Sequence, residues 1–160
     1  MSSSLRIEKV LPASPERVFD AFADPLQLGE WWGPHGYRSR VLELDGRPGG
    51  TLRLEVTPPD GEPFHIRGEL LEVDRARVLA FTFRYEEPTP DDRENVVRVS
   101  FGDGARLVVE HGPFRTAERR ALHETGWTEI LERLEAFLGR EPEAGLEPAA
   151  SSLQETRSTN

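Results

Sequence analysis

Six short segments between residues 38 and 111, in which apolar and polar side chains alternate, are the feature that most constrains the fold. A period of two is typical of β-strands that bury one face. Residues 78–85 show it most clearly, with one face made of Leu79, Phe81, Phe83 and Tyr85. Within 64–73 the alternation slips, which predicts a bulge near Gly68. Turns rich in Gly and Pro separate the segments, so we predict an antiparallel sheet whose apolar face needs a cover.

A helical pattern directly after these segments supplies that cover. From about Thr116 to Leu138 the apolar residues recur at steps of three and four, which is typical of a helix with one buried face. Gly139 fits the position that ends such a helix. We therefore predict one long helix that crosses the sheet.

The N-terminal residues predict a strand over 5–11 followed by two short helices. Ser14-Pro15 and Asp24-Pro25 each join a capping side chain to a proline at the first helical position. The predicted fold class is α+β, with one strand, two short helices, six strands and one long helix along the chain.

Residues 140–160 differ in composition from the rest of the chain. They contain two prolines and one glycine, and Leu146 and Leu153 are their only large apolar residues. Such a segment cannot bury enough apolar surface to offset the entropy lost on ordering it. We predict a folded domain over 1–139 and a disordered polar tail over 140–160.

The charge balance and the residue types present restrict the function. The chain has 160 residues, with 20 Lys and Arg against 29 Asp and Glu, and a formal net charge of −9 at pH 7. Such a charge disfavours nucleic acid, which needs clustered positive residues. The chain has no cysteine, no apolar run long enough to span a membrane and no secretory signal, so we expect a cytoplasmic protein. No two of its four histidines have metal-ligand spacing, and we predict neither a metal site nor a cofactor.

Several motifs add to this pattern, namely 13–22, Asp24-Pro25, Glu30-Trp31-Trp32-Gly33-Pro34, Pro48-Gly49-Gly50 and Gly126-Trp127. In this order they resemble the signature of the START-like (SRPBCC) superfamily, and within it the subgroup named after the activator of the heat-shock-protein-90 ATPase. The resemblance implies a helix-grip fold, in which a curved antiparallel sheet wraps around a long C-terminal helix and leaves a cavity. It also implies a small hydrophobic or amphipathic ligand, because relatives bind sterols, lipids, polyketides and plant hormones.

The residues predicted to bind this ligand come from the inward faces of the strands, the second short helix and the long helix. Of Trp31 and Trp32, one is expected to pack inward and the other to lie at the cavity rim. His111 shares the inward face of its strand, whereas His65 and His123 are predicted at the surface. The predicted ligand-binding set is Trp31, Trp32, Phe81, Phe83, Tyr85, Val99, Phe101, Val109, His111, Trp127 and Leu131. Ordinary core packing is the alternative explanation for the same side chains.

Three functions remain open at this level. The first is non-catalytic binding of a small molecule in the cavity, and the second is interaction with a protein partner, as in a chaperone activator. Residues 1–13 offer no counterpart to the separate N-terminal domain of the eukaryotic co-chaperone. The third is an enzyme of the cyclase or hydratase type, with His111, Tyr85 and Arg84 as its polar groups. We favour the first, because no catalytic constellation stands out, and we make no prediction of oligomeric state.

Overall fold

The structure, a computed structural model, describes residues 3–140 and contains the predicted order of elements. Strand β1 (Leu5–Val10) precedes the helices α1 (Pro15–Ala23) and α2 (Pro25–Trp31). The six strands that follow are β2 (Arg38–Leu44), β3 (Thr51–Thr57), β4 (Phe64–Asp74), β5 (Val78–Tyr85), β6 (Asn95–Phe101) and β7 (Arg106–Gly112). Helix α3 (Ala117–Arg140) comes after β7. The predicted α+β class is therefore confirmed.

Local hydrogen bonds explain where each helix begins. The Ser14 hydroxyl accepts a bond of 3.1 Å from a backbone N–H in the first turn of α1, and the Asp24 carboxylate accepts one of 3.0 Å in α2. At the start of α3, the Thr116 hydroxyl accepts a bond of 3.0 Å from the N–H of Arg119. These side chains satisfy N–H groups that have no partner within the helix.

The predicted end of the long helix at Gly139 is wrong, because α3 continues to Arg140. A glycine costs a helix only about 1 kcal/mol, and the neighbouring Phe137 and Leu138 are buried and hold this turn in place. The predicted tail over 140–160 lies outside the described residues, apart from Arg140. Among the described helices, none is both long and apolar enough to cross a membrane.

All seven strands of the described chain form one curved antiparallel sheet in the order β1-β7-β6-β5-β4-β3-β2. Consecutive strands from β2 to β7 are neighbours, and β1 closes the order by pairing with β7. Burial alternates along β3 and β6, as the sequence pattern predicts. The sheet thus turns one apolar face toward α3, which is the arrangement of a helix-grip fold.

The bulge in β4 lies further along the strand than predicted. The register against β5 shifts between Leu70 and Glu72, and the intervening Leu71 is exposed. Gly68 has a different role, because a Cβ atom there would overlap the backbone carbonyl oxygen of Thr82 on the adjacent strand. The glycine permits a close approach of two backbones, and the bulge corrects the alternation two residues later.

Helix α3 is fixed to the sheet and to α2 by packing and by hydrogen bonds. Its buried stripe consists of Trp127, Ile130, Leu131, Leu134, Phe137 and Leu138. Arg133 donates bonds of 2.9 Å to the backbone carbonyls of Trp32 and Gly33, just after α2. Lys9 of β1 forms an ion pair of 3.0 Å with Glu135. The C-terminal half of the helix is thereby anchored, and the space in the fold lies beside its N-terminal half.

Candidate functional site

A cavity of about 480 Å³ lies between the inner face of the sheet and the N-terminal half of α3. We call it the main cavity. Strands β3, β4, β5 and β7 supply its floor, and α3 contributes the residues from Arg119 to Ile130 that face it. The loop after α2, up to Tyr37, and the loop between β5 and β6, through Asp92, form its rim.

Five of the predicted ligand-binding residues line the main cavity, namely Trp32, Phe83, Tyr85, His111 and Trp127. They come from four different elements or their ends, and the fold brings them together. Trp32 and Trp127 meet edge to face with ring centroids 5.2 Å apart. This pair forms an aromatic corner between the loop after α2 and the long helix.

The other six predicted residues, Trp31, Phe81, Val99, Phe101, Val109 and Leu131, lie in the core away from the main cavity. Trp31 packs on Phe22, and its indole N–H donates to the backbone carbonyl of Ala21 at 3.1 Å. Phe101 packs on α1, with the Phe19 ring 5.2 Å away. Phe81 borders a much smaller void of about 30 Å³. Alternation along a strand identifies the inner face but does not separate core from cavity wall.

His111 is buried and held in one tautomer. The Trp127 indole N–H, which can only donate, lies 3.0 Å from Nδ1, so Nδ1 carries the lone pair. The Nε2–H therefore donates to the Asn95 side-chain oxygen at 2.9 Å, and Asn95 in turn donates to the Pro113 carbonyl at 3.2 Å. Burial lowers the pKa of His111 to about 3. The ring is neutral at pH 7, and both of its nitrogens are occupied.

A second hydrogen-bonded chain runs from β5 to α3. Tyr85 Oη lies 2.7 Å from His123 Nε2, and His123 Nδ1 lies 2.9 Å from the backbone carbonyl of Arg119. Burial lowers the pKa of His123 and raises the pKa of the Tyr85 hydroxyl above its ordinary value. Both groups are therefore uncharged at pH 7, and they form a polar patch in the cavity wall.

The placement of His123 at the surface is wrong, because its half-buried side chain lines the main cavity. Its spacing from Gly126, Trp127 and Ile130 is three, four and seven residues, the spacing of one helix face. That spacing could have been read from the sequence, but the charged residues on either side of His123 suggested a solvent-exposed turn.

An ion pair joins the rim of the cavity to α3. Arg119 Nη2 contacts Asp92 at 2.6 Å, and the Asp92 side chain also accepts bonds from the backbone N–H and hydroxyl of Thr89 at 2.8 and 3.1 Å. The Arg119 Nε atom is buried and has no hydrogen-bond partner among the described residues. These contacts hold the loop between β5 and β6 against the first turns of the helix.

Other lining residues were absent from the predicted set. They include Tyr37 after α2, Val56 on β3, and Phe64 and Ile66 on β4. The alternation of β3 and β4 places the last three on the inner face. Their contribution to the cavity depends on the curvature of the sheet, which no local pattern encodes.

One cluster of potential metal ligands occurs in residues 3–140, formed by His65, Glu86 and Glu87 with ligand atoms within 4.8 Å of one another. Both oxygens of Glu86 accept bonds from Arg53, at 2.7 and 2.9 Å, and this lowers the pKa of Glu86. His65 Nδ1 lies 2.7 Å from Glu87. We assign the cluster to the polar contacts that join β3, β4 and the loop after β5, because Glu86 is paired with Arg53 and Glu87 is hydrogen-bonded to His65.

Comparison with known proteins identifies the family to which this architecture belongs. Residues 12–139 match the family model described as Activator of Hsp90 ATPase homolog 1-like protein. A crystal structure of a protein from Chromobacterium violaceum is 30% identical, covers 88% of this chain and 99% of its own, and superposes with a TM-score of 0.76. The AHSA1 protein from Silicibacter pomeroyi is 29% identical, with coverages of 87% and 99% and a TM-score of 0.76.

A solution structure from Arthrobacter aurescens shows that the fold persists at lower similarity. It is 22% identical, covers 94% of each chain and has a TM-score of 0.77. No curated protein matches the chain. The similarity therefore assigns the fold and the family, and the site has to be interpreted from its own geometry.

Proposed function

The chain belongs to the family of activator of Hsp90 ATPase homolog 1-like proteins, and from the cavity within its fold we propose that it binds a small hydrophobic or amphipathic molecule without transforming it. The main cavity carries the proposal. Its volume of about 480 Å³ lies within the range of about 300–1,000 Å³ that is usual for small-molecule sites. Its wall combines aromatic and aliphatic side chains with a few placed polar groups, which is the usual composition of such sites.

The state of the polar groups supports binding rather than catalysis. A general base needs an available lone pair and a pKa near the working pH. Both nitrogens of His111 are engaged, and burial lowers its pKa to about 3. Burial also raises the pKa of Tyr85, and Arg84 is exposed. The three residues considered for an enzymatic role therefore lack the properties that acid–base chemistry requires.

The distribution of exposed apolar side chains favours a small ligand over a large protein partner. Among the described residues they are Val10, Leu26, Leu42, Leu71, Val96 and Leu122. These lie on six different elements, whereas a protein interface usually has a contiguous apolar centre. Of these six residues, only Leu122 also lines the main cavity.

A fluorescence titration with the uncharged probe N-phenyl-1-naphthylamine tests the proposal. We expect saturable, stoichiometric enhancement with the wild-type chain, because the probe leaves water for an apolar cavity. Gly126→Phe should weaken binding at least tenfold, since Gly126 lines the cavity and a Cβ atom there has no heavy atom within 4 Å.

Gly139→Phe is the matched control. Gly139 lies on the same helix and also has open space around a Cβ atom, but it does not line the cavity. Its affinity for the probe should equal that of the wild type. Non-saturable enhancement, or equal affinity in the two phenylalanine variants, would contradict the proposal.

A further inference from the structure

The wall of the main cavity has a defined hydrogen-bonding polarity and a defined charge. We infer that its ligand is an uncharged molecule with a hydroxyl or N–H group, which it donates to the hydroxyl oxygen of Tyr85. The inference rests on the proposed function and assigns a chemical class to the ligand of that site.

The polarity follows from the chain of hydrogen bonds that ends at Tyr85. A backbone carbonyl can only accept, so the contact of 2.9 Å between His123 Nδ1 and the Arg119 carbonyl places the proton on Nδ1. In the neutral ring Nε2 then carries the lone pair. The Tyr85 hydroxyl must therefore donate its proton to Nε2 across 2.7 Å. The lone pairs of Tyr85 Oη remain, and they can only accept from a ligand.

Packing keeps this arrangement in place. The Tyr85 ring meets Phe64 and Phe83 at centroid distances of 5.7 and 5.4 Å. The His123 ring lies 4.7 Å from Phe114. Neither polar group can turn without disturbing these aromatic contacts, so the acceptor is preorganised before a ligand enters.

The neighbouring histidine cannot compete as a donor or acceptor. His111 Nδ1 accepts from Trp127, and its Nε2–H donates to Asn95. Its ring lies 5.5 Å from that of His123, so it borders the same polar patch. A polar ligand atom at this depth of the cavity therefore meets Tyr85 rather than an imidazole nitrogen.

The charge of the lining argues against an anionic ligand. The charged side chains that line the main cavity in the described chain are Glu87, Asp92, Glu129 and Arg119. Arg119 is the one arginine of this lining, and its Nη2 is paired with Asp92 at 2.6 Å. Protonation of His65 beside Glu87 would offset one carboxylate but would leave the wall negative. A carboxylate or phosphate headgroup would therefore meet net repulsion, because three carboxylates line the cavity against one arginine.

Three naphthalene probes of similar size separate these properties. They are 2-naphthol, which donates a hydrogen bond, 2-methoxynaphthalene, which cannot, and 2-naphthoate, which is an anion. We expect 2-naphthol to bind most tightly, with 2-methoxynaphthalene about fivefold to tenfold weaker because one hydrogen bond is lost. The naphthoate should bind more weakly than either. Equal affinities of the first two, or naphthoate as the tightest ligand, would overturn the inference.

Variants locate the discrimination at one atom. The double variant Tyr85→Phe/His123→Leu removes both the hydroxyl and the imidazole lone pair that the hydroxyl covers, and it should reduce the affinity for 2-naphthol to that for 2-methoxynaphthalene. His123→Leu removes the acceptor of the Tyr85 proton, so the hydroxyl becomes able to donate and 2-methoxynaphthalene should gain affinity. Tyr37→Phe deletes another hydroxyl from the same cavity and should preserve the ratio. Persistence of the wild-type ratio in the double variant would overturn the inference.

The outcome also distinguishes this inference from the proposed function. If N-phenyl-1-naphthylamine binds in the cavity but the naphthalene series shows no preference for a donor, the ligand class is wrong and the binding function stands. If neither N-phenyl-1-naphthylamine nor any naphthalene binds, the proposed function itself fails.

Discussion

At the level of single residues, the buried His111 links the stability of the fold to pH. In the unfolded chain this residue titrates near the ordinary value of 6.5, whereas burial lowers its pKa in the folded protein to about 3. Between these values the unfolded state binds a proton that the folded state does not. The free energy of unfolding should therefore decrease as the pH falls from 6.5 to 5, by up to about 1.4 kcal/mol per pH unit. Urea unfolding at several pH values measures this slope.

Two variants assign the slope to its source. His111→Gln should flatten it, and the remaining slope should come from His123, whose pKa is also lowered. His65→Gln should leave the slope below pH 6.5 unchanged, because the pKa of His65 is raised and its contribution changes only above that pH. The carboxylates with lowered pKa values act below about pH 5. An identical slope in His111→Gln and the wild type would contradict the assignment.

The residues of the site show what a sequence can and cannot predict. The inward position of His111 followed from alternation along its strand, and the structure agrees. The position of Tyr37 in the cavity wall did not, because it depends on how a loop after α2 returns across the sheet. His123 was assigned to the surface on a helix turn rich in charged residues, although its spacing from Trp127 carried the correct signal. Hydrogen-bond partners distant in sequence, such as Tyr85 and His123, cannot be predicted from local patterns.

At the level of elements, Gly126 within α3 should lower the free energy of unfolding, while its lack of a side chain leaves room for the main cavity. Gly126→Ala should raise the free energy of unfolding by up to about 1 kcal/mol, because alanine has the higher helix propensity and its methyl group meets no atom within 4 Å. Gly139→Ala should give a smaller gain, since that residue lies in the last turn. Urea denaturation monitored by circular dichroism compares them. Destabilisation by Gly126→Ala would show that a contact requires the glycine.

The pairing of β4 with β5 depends on a second glycine. Gly68→Ala should destabilise the protein by about 3 kcal/mol, because the added Cβ overlaps the carbonyl oxygen of Thr82 and the two backbones must separate. Gly46→Ala is a suitable control, as a Cβ there meets nothing within 4 Å. It should change stability by less than about 0.5 kcal/mol. Thermal unfolding of the two variants at equal pH measures the difference. Equal unfolding midpoints would contradict this account.

The elements themselves were more predictable than their details. Capping residues and prolines located the starts of α1 and α2, and alternation located β4 and β5 within one residue. The bulge was misplaced because Gly68 suggested it, whereas the register shift lies between Leu70 and Glu72. The misplaced bulge at Gly68 and the misplaced helix end at Gly139 have the same origin. A glycine indicates an unusual backbone position but does not indicate its cause. A close approach, a bulge and a helix end are alternatives that only the neighbouring strand or helix distinguishes.

At the scale of the whole molecule, the main cavity links ligand binding to the stability of the fold. A ligand that fills it should stabilise the folded chain by RT ln(1 + [L]/Kd), or about 1.4 kcal/mol at ten times its Kd. For a domain of this size that corresponds to a rise of several degrees in the unfolding midpoint. Calorimetry of the wild-type chain with 2-naphthol, after its Kd has been measured, tests this expectation.

The Gly126→Phe variant tests, without a ligand, whether filling the main cavity raises stability. Its ring should occupy part of the main cavity, so the variant should unfold at a higher temperature than the wild type in the absence of 2-naphthol and show little further shift in its presence. Binding sites commonly lower the stability of the protein that contains them. In this protein, part of that loss would be due to Gly126. A variant that is less stable than the wild type, or that still shifts fully with 2-naphthol, would mean that the ring lies outside the cavity. Gly139→Phe should shift with 2-naphthol as the wild type does, because its side chain lies away from the lining.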